Sequence, residues 1–157
     1  MRNKLLLAAF FILAVVADQA SKIVVDSVFA LYESRPMLGN ILRLYYIRNT
    51  GAAFGLRIGN PSVMLWVTVL VTLFLVYLFV TGRLDGGSLL GKAALVLVLA
   101  GAVGNLIDRV RLGEVIDFID MGIGPHRWPT YNLADVFVTC GMLVLIVSQF
   151  FQPRKAE

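Results

Sequence analysis

The 157-residue chain is 59% hydrophobic and only 15% charged, against roughly 25% charged for soluble domains, so it lacks the polar surface of a soluble fold and reads as a membrane protein. Its net charge of +4 comes from basic residues scattered between apolar runs, with no basic block interleaved with aromatics, which argues against nucleic acid as a partner. The single cysteine, Cys140, and the single histidine, His126, leave neither a disulfide framework nor the ligands of a zinc site.

The first apolar run covers residues 5–17 behind Arg2 and Lys4 and imitates a secretory signal peptide. No small-x-small cleavage site follows it. The run continues through Asp18-Gln-Ala-Ser-Lys22 into Ile23-Val-Val25, and residues 5–25 as one helix are long enough to cross ~30 Å of hydrocarbon.

The connection 26–61 is too long for a tight turn. Its middle, residues 41–48, is β-branched and aromatic and predicts a short strand or hairpin at the membrane surface. Asn49-Thr-Gly-Ala-Ala-Phe-Gly55 has the small-residue composition of a turn. Tyr45, Tyr46 and Phe54 are expected along the membrane interface, where aromatic rings favour that depth.

The second span, residues 62–81, carries no charge. A short Gly-rich link at 82–88 leads to the third, residues 89–107, with Lys92 near its start and able to snorkel. The connection 108–132 contains Gly113, Gly122, Gly124, Pro125 and Pro129 and is expected to be mostly loop. The fourth span, residues 133–151, holds one charge, Asp135, and Cys140 is expected to pack there as a small residue. No internal repeat is visible.

Four spans alternate in direction, so basic residues near their ends sort to two sides. Arg2, Lys4, Arg83, Lys92, Arg154 and Lys155 fall on one, and Arg35, Arg43, Arg48, Arg57, Arg109, Arg111 and Arg127 on the other. The numbers nearly balance. The first set hugs the span ends on very short segments, which places both termini in the cytoplasm.

The same alternation gathers the polar residues on the far side. Asp18 and Lys22 sit late in the first span, Asn105 ends the third with Asp108 and Arg109 just beyond, and Asp135 opens the fourth. Asn49, Asp117, Asp120 and Asn132 belong to the far-side connections. Ionisable groups at such depths cost roughly 2.5–3.5 kcal/mol each, which makes them functional candidates.

Each has a bland reading beside the sharp one. Asp18 and Lys22, four apart, read as an ion pair anchoring helix packing, with a proton relay as the rival. Asn105, Asp108 and Arg109 share a face below Gly101 and Gly104, which permit close helix approach. Asp108 and Arg109 form either an interfacial pair ending the span, or a site in which Arg109 faces substrate. Asn132 and Asp135 have the spacing of a capping box. A carboxylate at a helix N-terminus with a second one nearby also meets the needs of an aspartic dyad sharing one proton. Asp117, among apolar neighbours, is the better partner, while Asp120 is placed to pair with a loop arginine.

Taken together, these blocks resemble the bacterial lipoprotein signal peptidases, the signal peptidase II family. The resembling segments are Asp18-Gln-Ala-Ser-Lys22, Asn49-Thr-Gly-Ala-Ala-Phe-Gly55, Gly101-Ala-Val-Gly-Asn-Leu-Ile-Asp-Arg109, Val115-Ile-Asp-Phe118 and Tyr131-Asn-Leu-Ala-Asp135, in family order along nearly the whole chain. Departures are small: Ala102 stands where the family often has Gly, and Tyr131 where it often has Phe.

The resemblance implies a single integral membrane domain over residues 1–157. Its fold would be a membrane all-α four-transmembrane-helix bundle with a small extracytoplasmic β-cradle at about residues 30–60. It implies a metal-free, cofactor-free aspartic endopeptidase of the bacterial inner membrane with its active site near the outer leaflet. Such an enzyme cuts diacylglyceryl-modified prolipoproteins just before the lipidated cysteine. Asp117 and Asp135 would be catalytic, with Asn105, Arg109 and Asn132 lining the site. Asp18, Lys22 and Asp108 would support it, and Asn49 would shape the cradle. Membrane lipids, globomycin-type inhibitors and a monomeric state complete the expectation. A proton-coupled transporter and a non-enzymatic assembly factor are the rival readings. The transporter lacks a polar relay towards the cytoplasmic side and an inverted repeat.

Overall fold

The computed structural model describes residues 1–51, 60–84 and 88–150. Phe54, Arg57, Arg154 and Lys155 lie outside the described residues. In chain order the elements are α1 (Arg2–Val28), β1 (Ser34–Leu38), β2 (Leu42–Asn49), α2 (Pro61–Thr81), α3 (Leu89–Leu112), β3 (Val115–Ile123), β4 (His126–Arg127) and α4 (Leu133–Phe150).

The helix ends follow local chemistry. Asn60 caps α2 by accepting from the Ser62 N–H, with Pro61 as the first helical residue. Ser88 caps α3 by accepting from the Gly91 N–H, and Gly113 ends α3 with φ +73°, the left-handed conformation that glycine adopts without strain. α1, α2 and α3 are long and apolar enough to cross a membrane, and α4 is a shorter apolar helix. Their large side chains point outward. On α2, Trp66, Leu70, Phe74 and Val80 are exposed while only Met64, Thr72, Leu75 and Leu78 are buried. That inverted pattern is stable in hydrocarbon rather than in water.

α3 is the central element and packs against α1, α2 and α4. Leu75, Leu78, Ala94, Leu95, Val98, Ala102 and Leu145 form one core cluster. A Cβ at Gly101 would run into the Ala134 carbonyl, one at Gly104 into the Asp18 carboxylate, and one at Gly141 into Val98 and the Ala94 carbonyl. These glycines let three helices approach at backbone distance.

The strands form one antiparallel sheet in the order β1-β2-β3-β4. Ile47 of β2 faces Asp117 of β3, and Asn49 faces Val115, beyond a register shift between Leu44 and Ile47. Val25, Tyr46, Ile116 and Phe118 make a second cluster that seats the sheet on the end of α1.

Five expectations need correction. α1 runs past 5–25 at both ends, and α3 runs past residue 107 to Leu112, so Asp108 and Arg109 lie inside the helix rather than beyond it. The connection 108–132 is not mostly loop: Val115–Ile123 is a nine-residue strand. Its β-branched and aromatic residues pair with β2, and Gly113 and Gly124 mark its ends in left-handed turns rather than dissolving it. Tyr46 is 2% exposed and hydrogen-bonds Asp26, so it is a core residue of the cradle and not an interfacial anchor. Cys140 is exposed on α4 rather than packed inside.

Candidate active site

The sheet and the helix ends on its side of the molecule bring Asp117 and Asp135 to one place. Asp117 is on β3 and only 2% exposed. Its Oδ2 accepts from Asn49 Nδ2 at 2.9 Å and its Oδ1 from Asn132 Nδ2 at 2.7 Å. Asp135 lies in the first turn of α4 and is more open. The Asp135 N–H donates to Asn132 Oδ1 at 3.1 Å, and Asp135 Oδ2 accepts from the Asn132 N–H at 3.2 Å. This is the capping box that the Asn132/Asp135 spacing suggests.

Asn132 is fully buried and donates to both carboxylates, from its side chain to Asp117 and from its backbone N–H to Asp135. Asn105 Nδ2 donates to Asp135 Oδ1 at 2.9 Å, while Asn105 Oδ1 accepts from Asn132 Nδ2 at 3.1 Å. Three asparagine side chains, Asn49, Asn105 and Asn132, therefore hold the two acids.

Burial pushes the Asp117 carboxyl up to about 7; the negative charge of Asp135 adds to the rise, and the Asn49 and Asn132 donors oppose it. Arg109 lies within Coulombic reach of Asp117, Asp135 and Asp108. Its one side-chain hydrogen bond among the described residues goes from Nη1 to the Asn105 carbonyl at 3.4 Å. No carboxylate among the described residues stands within ion-pair distance of it. The interfacial Asp108–Arg109 pair does not form, because Asp108 turns inward.

Asp108 turns towards Lys22, which is 1% exposed. The Lys22 Nζ lies 2.9 Å from both Asp18 Oδ2 and Asp108 Oδ2, and donates to Asn105 Oδ1 at 3.0 Å. Gln19 Nε2 lies 3.1 Å from Asp18 Oδ2, Asp108 Oδ1 and the Gly104 carbonyl. The other oxygen of Asp18 accepts from the Ala134 N–H at 2.9 Å, and Asp108 Oδ2 accepts from the Ile116 N–H at 3.2 Å.

Asp120 is elsewhere. Arg43 and Arg127 both pair with it on the sheet. Burial alone would raise its carboxyl, and the two arginines hold it below the usual range instead. The structure thus brings together Asp18, Lys22, Asn49, Asn105, Asp108, Arg109, Asp117, Asn132 and Asp135, and leaves Asp120 out. Sequence reasoning passed over Gln19, whose amide gives no signal of its own inside a helix. It also passed over the Asp26–Tyr46–Arg48 cluster that ties α1 to β2.

The family model for signal peptidase (SPase) II matches residues 10–151. The chain belongs to the signal peptidase II family. Family membership makes it a multi-pass membrane protease and sets aside the transporter and assembly-factor readings. The lipoprotein signal peptidase of Syntrophus aciditrophicus is 41% identical over 148 residues, 91% of either chain. That of Geobacter sulfurreducens is 40% identical over 144 residues, 90% of this chain and 89% of the relative. A solved bacterial membrane enzyme superposes with a TM-score of 0.83 at 30% identity, covering 96% of this chain and 93% of its own. A second gives 0.80 at 31% identity, with 94% of each chain covered.

Proposed function

We propose that this chain removes the signal peptide from diacylglyceryl-modified prolipoproteins, cutting just before the lipidated cysteine, with Asp117 and Asp135 as an aspartic dyad and no metal or other cofactor. The observation that carries the reading is the joint hold of Asn132 on both acids, at 2.7 Å to Asp117 and by reciprocal backbone and side-chain bonds to Asp135. Both oxygens of each acid already have a donor, so neither carboxylate is free to drift from the other.

The two environments divide the labour. Asp117 is buried and keeps its proton to about pH 7, which suits it to protonate the scissile carbonyl oxygen. Asp135, in the first turn of α4 and more open, acts as the base that takes a proton from water. The water oxygen attacks the carbonyl carbon to give a tetrahedral diol. On its collapse the C–N bond breaks, Asp135 returns its proton to the leaving nitrogen, and Asp117 recovers one from the diol hydroxyl. Arg109, unpaired among the described residues, is positioned to bind substrate backbone or lipid ester oxygens.

The substrate's lipid anchor keeps the scissile bond at the membrane surface. We place α4 as a fourth span in one integral membrane domain, both termini in the cytoplasm, and the dyad near the outer leaflet of the bacterial inner membrane. The enzyme acts as a monomer, and globomycin-type inhibitors occupy the same site. The test compares diacylglyceryl-modified prolipoprotein with the same chain lacking lipid, in micelles, with and without globomycin. Cleavage of the lipidated chain alone, blocked by globomycin, is expected. Equal cleavage of both chains would overturn the lipid-directed reading.

A further inference from the structure

We infer that Lys22 is a positioning residue that fixes the spacing of Asp117 and Asp135 through three arms, one to each dyad-bearing segment and one to Asp135 itself. The first arm runs from Lys22 Nζ to Asp18 Oδ2 at 2.9 Å and from Asp18 Oδ1 to the N–H of Ala134, the residue before Asp135. The second runs to Asp108 Oδ2 at 2.9 Å and on to the N–H of Ile116, the residue before Asp117. The third runs to Asn105 Oδ1 at 3.0 Å, and Asn105 Nδ2 donates to Asp135 at 2.9 Å.

The chemistry of the ammonium group makes this arrangement directional. Lysine has three donors and no acceptor, and all three are matched by oxygens here. Because Nζ can only donate, Asn105 must turn its oxygen to Lys22, which leaves its amide nitrogen to face Asp135. Arginine's planar fork would not reproduce three converging bonds from a point charge. Lys22 is 1% exposed, so substrate does not reach it and its influence passes through Asp18, Asp108 and Asn105.

The role rests on the dyad reading above. Two acids that share a proton titrate as a pair whose splitting depends on their separation, and a displacement of about 1 Å at a catalytic group costs about 10²-fold in rate. Among the described residues, Lys22 of α1 and Arg109 of α3 lie within Coulombic reach of the dyad, and Asp18 and Asp108 pair with Lys22. A lysine that served only to neutralise buried carboxylates would affect folding and leave turnover by the folded enzyme alone.

The test uses Lys22→Met and the triple variant Asp18→Asn/Lys22→Met/Asp108→Asn, with Asp117→Asn as a parallel control. Lys22→Met alone leaves two buried carboxylates without a counter-charge. The triple variant removes all three charges and keeps amide oxygens for the Ala134 and Ile116 N–H groups, so it folds while the arms are no longer tied. In micelles with lipidated prolipoprotein, the folded triple variant is expected to lose about 10²-fold in kcat with little change in KM, and to shift the pH profile of kcat. A folded triple variant with wild-type kcat and pH profile overturns the inference. If Asp117→Asn cleaves at the wild-type rate, the dyad reading falls as well; if it is inactive while the triple variant is fully active, the positioning role alone falls.

Discussion

Asp18 Oδ1 accepts a hydrogen bond at 2.9 Å from the backbone N–H of Ala134, 116 residues further along the chain. The first helix thereby caps the last, at the turn that carries Asp135. The bond is buried, and the same carboxylate meets Lys22 through its other oxygen.

Asp18→Ala removes a buried charge partner and a cap together. Breaking a buried ion pair from one side costs about 3–5 kcal/mol, so thermal unfolding in micelles is expected far below the wild type. Asp18→Asn keeps an acceptor for Ala134 and is expected to lose less. Equal unfolding temperatures for Asp18→Ala and wild type would contradict the interlock.

Gly104 is the point where α3 meets that interlock. A Cβ there would collide with the Asp18 carboxylate and crowd Ala134, and overpacking of this kind costs about 1–3 kcal/mol. Gly104→Ala should therefore lower both the unfolding temperature and the cleavage rate. Gly113→Ala offers a contrast. Nothing lies within 4 Å of a Cβ there, and φ is +73°, so the cost is backbone strain at the helix end and cleavage by the folded enzyme is retained.

Stability should also depend on pH through Asp117. Unfolded, its carboxyl loses its proton near the ordinary value of 3.8, and folded it keeps the proton to about 7. Between these values the folded protein binds more protons than the unfolded chain, so stability falls as pH rises through that window. Asp117→Asn cannot titrate and removes this slope. Relative to wild type, the variant should unfold at a higher temperature at pH 8 than at pH 5. In the wild type, kcat/KM should decline above about pH 7 as Asp117 of the free enzyme loses the proton it donates.

Asp120 gives the opposite sign. Burial would raise its carboxyl, but Arg127 and Arg43 hold it below the usual range. Its stabilisation is present above the ordinary carboxylate value and lost as pH falls through the lower, folded one. Asp120→Asn is expected to loosen the sheet at neutral pH, read as a lower unfolding temperature, while cleavage stays within a few-fold of wild type. Loss of cleavage as complete as in Asp117→Asn, by a folded Asp120→Asn protein, would show that the pair had been assigned to the wrong acid.

Much of this was legible in the sequence because a bilayer imposes strong rules. Uncharged runs had to become helices, and alternation of direction placed Asp18, Asn105 and Asp135 at one end without any structure. The Asn132/Asp135 spacing already described a capping box. The strand at Val115–Ile123 was harder to read, because its glycines and prolines suggested loop and its pairing partner, β2, lies about 70 residues away in the chain. Tyr46 was misplaced for a related reason: aromatic character is the same for an interfacial anchor and a buried ring, and only the Asp26 partner distinguishes them. The link from Asp18 to Ala134 joins a side chain to a backbone N–H, and backbone groups leave no mark in sequence.

The most direct measurement is cleavage of a diacylglyceryl-modified prolipoprotein in detergent micelles, followed by gel shift, for wild type, Asp117→Asn and Asp135→Asn. Each protein is first shown to be folded by its thermal unfolding, and the wild type is assayed with and without a chelator. Cleavage by the wild type that survives the chelator and disappears in both variants is the predicted result. Undiminished cleavage by either folded variant, or no cleavage of the lipidated substrate by folded wild type, would contradict the dyad.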